Sequence, residues 1–70
     1  MREEIRNDQN IVIGWLNDLG SQIQAQHRLK GIVGFYNKGT NITFLQSGKI
    51  YCYGNGAQCL VRLAEDNLIK

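Results

Sequence analysis

The chain has 70 residues, eight lysines and arginines against six acidic residues, and a hydrophobic fraction of 43%. That length bounds it to one domain with a small core, burying about 60% of its unfolded surface, and the apolar fraction excludes wholesale disorder. A net charge of +2 and a pI of about 8.7 permit a nucleic-acid partner but lack the dense positive footprint of a strong binder.

Residues 1–9 are charged and polar, with Ile5 as the only interior apolar residue, and read as a flexible N-terminal arm. A single domain is expected over residues 10–70. Asn7, Asp8 or Asn10 caps a first helix over Ile11 to Leu19, in which Val12, Trp15, Leu16 and Leu19, followed by Ile23, repeat at helical spacing. Gly20 is its candidate stop. Ser21 to Lys30 is ambiguous. Ile23, Ala25, His27 and Leu29 alternate with polar residues, as in a strand, whereas glutamine and alanine favour helix. A continued helix is preferred there over loop or strand, with His27 at the surface.

Gly31 to Tyr36 reads as a strand, rich in β-formers. Asn37 to Asn41 is a hairpin loop, Ile42 to Gln46 a second strand, Ser47–Gly48 a tight turn and Ile50 to Tyr53 a third strand. Gly54 and Gly56 then aim a second helix over Ala57 to Asn67, whose Ala57, Leu60, Val61, Ala64 and Leu68 share one face. The expected fold class is α+β in the order α-β-β-β-α, a three-stranded antiparallel sheet with two helices packed on one face.

Cys52 and Cys59 are too few for a disulfide scaffold, and His27 is the only histidine, so free thiols are expected, with no metal and no cofactor. No Ser/His/Asp set, paired carboxylates or phosphate loop marks an enzyme. No apolar run is long enough for a membrane span or a signal peptide. Asn41–Ile42–Thr43 fits the glycosylation pattern, but nothing else points to secretion. An intracellular, cytoplasmic protein is expected.

In that order, the sequence resembles the double-stranded RNA-binding domain family. Leu16–Asn17–Asp18–Leu19–Gly20 resembles the family's first-helix pattern. Gly48–Lys49, Tyr51 and Gly54–Asn55–Gly56 resemble its third strand and G-x-G ending, and the second helix follows at once. The member would be degenerate. Ala57 to Arg62 stands where the family carries a lysine-rich motif, and the loop Asn37 to Asn41 lacks the family's histidine and proline.

Such domains read double-stranded RNA by shape, across two minor grooves and the phosphates between them. The resemblance gives the first-helix contacts to Asn17, Asp18 and Gln22, the loop contacts to Lys38, Gly39 and Asn41, and the phosphate contacts to Gln58 and Arg62. It implies a small non-catalytic module for structured RNA with weakened phosphate contacts. The alternative is a protein-interaction or dimerisation module on the same fold, favoured by Gln58, Cys59 and Leu60 where lysines are expected. Without the resemblance, the same polar residues are a solvated surface, and Arg62 pairs with Glu65 or Asp66.

Overall fold

The computed structural model describes residues 2–68. Its strands are β1 (Arg2–Arg6), β2 (Val12–Asp18), β3 (Gln22–His27), β4 (Gly31–Asn37), β5 (Ile42–Leu45) and β6 (Ile50–Tyr53), followed by helix α1 (Ala57–Glu65). The six strands form one sheet in sequence order. Every neighbouring pair is antiparallel, so the sheet is a continuous meander of hairpins. α1 lies across the middle of one face, over β2, β3 and β4.

The expected α-β-β-β-α order is overturned. The segment Ile11 to Leu19, read as the first helix, carries strand β2, and Ser21 to Lys30 carries β3. The sheet has six strands rather than three, and among the described residues one helix rather than two packs on it. The segment read as an arm carries β1. Strands β4, β5 and β6 lie where the β-forming residues placed them.

Two physical effects decide the N-terminal half. First, Ile11, Val12 and Ile13 are β-branched, and Trp15 also favours a pleated surface. Second, the alternation in 22–27 is real. Gln22, Gln24 and Gln26 take one face, and Ile23, Ala25 and His27 take the other, with Ala25 and His27 buried. A period of two that buries one face outweighs the modest helix propensity of glutamine and alanine.

The helix face is built for close approach. A Cβ at Gly14 would stand 2.6 Å from Val61 Cγ1 and 2.2 Å from the Gln26 carbonyl oxygen. One at Gly34 would stand 2.5 Å from Leu60 Cδ1 and 2.3 Å from the Phe44 carbonyl oxygen. Between them Ala25 is fully buried. Into this shallow groove α1 lowers Ala57, Leu60, Val61 and Ala64, which with Ile5, Ile13, Ala25 and Val33 make the core. The helix ends in a Schellman turn. Asn67 adopts a left-handed φ of 59°, its N–H donates to the Ala64 carbonyl, and Leu68 N–H donates to the Leu63 carbonyl.

Candidate interaction face

The sheet has two faces, and α1 covers only one. Cross-strand registers put Arg2, Asn17, Gln24, Phe35, Phe44 and Ile50 in one row on the opposite face. A second row runs Gln22, Asn37, Ile42 and Tyr53, and a third runs Glu4, Trp15, Gln26 and Ile32. No element of the described chain covers this face.

Its two halves differ chemically. Over β1 to β3 the side chains satisfy one another. Asn17 Nδ2 donates to Gln24 Oε1 at 3.2 Å and to Gln26 Oε1 at 3.0 Å. Arg2 donates to Gln26 Oε1 at 3.3 Å while its guanidinium sits 4.6 Å from the centre of the Trp15 ring. Arg6 pairs with Glu4 at 2.8 Å. Over β4 to β6 the face is apolar. Phe35 and Phe44 stack at 5.4 Å, flanked by Ile32, Ile42, Ile50 and Tyr53. Tyr53 is 78% exposed and Ile50 is 50% exposed. A cluster of this kind, rimmed by amides and without a charge, has the composition of a protein contact surface.

The residues singled out for RNA contact fall on three surfaces. Asn17 and Gln22 belong to the open face. Asp18, Lys38, Gly39 and Asn41 gather at one end of the sheet. There Lys38 Nζ reaches both Asp18 oxygens at 3.0 Å, Gly39 N–H donates to Asn37 Oδ1, and the Tyr36 hydroxyl donates to Asn41 Oδ1 at 2.6 Å. The Asp18 carboxyl is held below its ordinary range by the Gly20 N–H and then by Lys38. Gln58 and Arg62 lie on the outer side of α1, away from the open face. Asp18 and Lys38 are therefore brought together, and Gln58 and Arg62 are not brought to them.

On the helix face, His27 is 3% exposed, not at the surface. Its Nδ1 accepts from the Leu29 and Lys30 backbone N–H groups, both at 3.2 Å. That leaves the ring proton on Nε2, which donates to Glu65 Oε1 at 2.8 Å. Arg28 binds the other Glu65 oxygen at 3.0 Å, so Glu65 pairs across the fold rather than with Arg62. This cluster fastens the end of α1 to β3. The Glu65 carboxyl is held below its ordinary range, chiefly by the His27 hydrogen bond.

Cys52 and Cys59 are free thiols, and no metal-binding group occurs among the described residues. Burial raises the Tyr51 hydroxyl above its ordinary value. Among the described residues, one cleft lies beside α1 and another beside the ends of β1 to β3. One of about 180 Å³ is lined by residues including Asp8, Arg62 and Asp66, and one of about 130 Å³ by Glu3, Leu16, Asp18, Ile23 and Asn55. Both are smaller than the roughly 300 Å³ at which ligand pockets begin. No helix of the described chain is long and apolar enough to cross a membrane.

The chain matches no family model, no curated protein sequence and no solved structure. Nothing therefore identifies it as a double-stranded RNA-binding domain, and the first helix that would place Asn17 and Asp18 in a minor groove is a strand.

Proposed function

We propose that this protein is a non-catalytic interaction module that associates with a second copy of itself through the apolar β4–β6 side of its sheet. One observation carries the reading. The β4–β6 half of the open face presents the stacked Phe35–Phe44 pair beside exposed Ile50 and Tyr53, with no charged side chain among them. An apolar, uncharged surface of this kind on a small chain marks a contact region, and the same region on another copy presents no opposing charge. The RNA reading lacks comparable support. Arg2, Arg6 and Lys38 each engage a partner within the fold.

Sedimentation velocity across a wide concentration range, under reducing conditions, tests the proposal. The expected result is a rise in apparent mass from one chain toward two. A strictly monomeric chain that shifts duplex RNA in a salt-dependent manner would overturn it.

A further inference from the structure

The sheet is open, so it has two edges, and they differ. On β1, Arg2, Glu3, Glu4 and Arg6 leave Ile5 as the only uncharged residue. Closely spaced charges on an edge strand deter pairing with another strand. On β6, Ile50, Tyr51, Cys52 and Tyr53 carry no charge and no proline, and Lys49 falls just outside the strand. Gly54 N–H donates inward to the Asn41 carbonyl at 2.6 Å. Because antiparallel backbone groups alternate in direction, the N–H and C=O of Tyr53 point away from β5. α1 lies over β2 to β4 and does not screen this edge.

Resting on the self-association proposed above, we infer that β6 is the contact strand, pairing antiparallel with β6 of a second copy about a two-fold axis. The identity of the partner follows from comparing the edges. Pairing β6 with β6 joins the two unguarded edges and leaves the two charged β1 edges outermost, so the assembly closes at two chains. Pairing β6 with β1 would leave a free edge of each kind and allow open-ended growth. The two-fold arrangement also continues the apolar half of the open face across the joint. Ile50 and Tyr53 of one copy then lie beside the same residues of the other, and two Phe35–Phe44 stacks flank a shared strip. The β5–β6 register shifts at Tyr51, which shortens the ladder. The contact belongs at the small end of interfaces.

The test places a guard on the edge. Ile50→Lys with Tyr53→Lys changes two side chains that already reach solvent, so the fold persists, as circular dichroism would verify. The double variant is expected to sediment with the mass of one chain at concentrations where the parent reaches two, whereas Phe35→Lys, on the open face but two strands from the edge, is expected to keep the dimer. Leu29→Lys, an 81% exposed position in the β3–β4 turn, should leave the parent's mass unchanged. Amide exchange gives a readout independent of mutation: the Tyr53 N–H should exchange more slowly as the parent is concentrated. If the double variant still dimerises while Phe35→Lys abolishes the dimer, the edge assignment is overturned and self-association through the face stands. If the parent never exceeds one chain, both are overturned.

Discussion

Thr43 is fully buried on the helix face of β5. Its hydroxyl donates to the Gly54 carbonyl at 2.6 Å and accepts from the Gly56 N–H at 2.8 Å. One side chain thus fixes both ends of the turn that carries the chain from sheet to helix. Thr43→Val keeps the shape and strands the buried Gly56 N–H and the partly buried Gly54 carbonyl. The expected cost is about 1–3 kcal/mol, measured by urea unfolding, and Thr43→Ser should recover most of it. Glu65 makes a second residue-scale claim. It stands in the last turn of α1, where a negative charge opposes the helix dipole, and His27 and Arg28 offset that cost. Because folding lowers its pKa, its stabilisation is present above the ordinary glutamate range and is lost as pH falls through the folded value. Thermal midpoints of the parent should therefore drop on acidification below that range, and Glu65→Gln should start lower and flatten that drop. Of these two sites, the His27 position was partly legible, since the alternation of Ile23, Ala25 and His27 already puts the ring on the apolar face. Its partner was not legible, because Glu65 lies 38 positions away.

Among the elements, α1 and its seat give the sharpest prediction. Gly34→Ala forces a methyl against Leu60 and the Phe44 carbonyl, and a backbone oxygen cannot move aside as a side chain can. The expected destabilisation is about 3 kcal/mol, and the same change at Gly20, where nothing lies within 4 Å, brings only the strain of its positive φ. Differential scanning calorimetry of the two variants checks the ranking. The last helix was readable because its face repeats at Ala57, Leu60, Val61 and Ala64 and its start follows Gly54. At Gly54 a φ of 92° makes the turn and suits glycine. The first helix was misread for a definite reason. Val12, Trp15, Leu16 and Leu19 satisfy a helical period, yet in the fold they serve different surfaces: Trp15 the open face, Leu16 the core, Leu19 the solvent. Gly14, an anomaly in a helix, is what a strand needs where a helix crosses it. That need exists only once α1 is in place, so no local pattern reveals it.

The whole molecule is two layers thick over β2 to β4 and one layer thick elsewhere, measuring 33 × 25 × 17 Å. One helix of nine residues cannot cover six strands. The surplus sheet is divided between a β1–β3 side that satisfies itself with amides and ion pairs and a β4–β6 side that stays apolar. The β-strands of this apolar side were legible as strands, and Phe35, Phe44 and Tyr53 were visible as aromatics. Their common face was not, because it follows from the registers of two hairpins and a bulge at Tyr51. The most direct test of the role given to that side is a dilution series of the isotopically labelled chain followed by NMR. Backbone signals of Phe35, Phe44, Ile50 and Tyr53 should move together with concentration, while those of Leu29, Gln58 and Arg62 stay fixed. Signals that ignore concentration throughout, or that move on α1 instead, would contradict it.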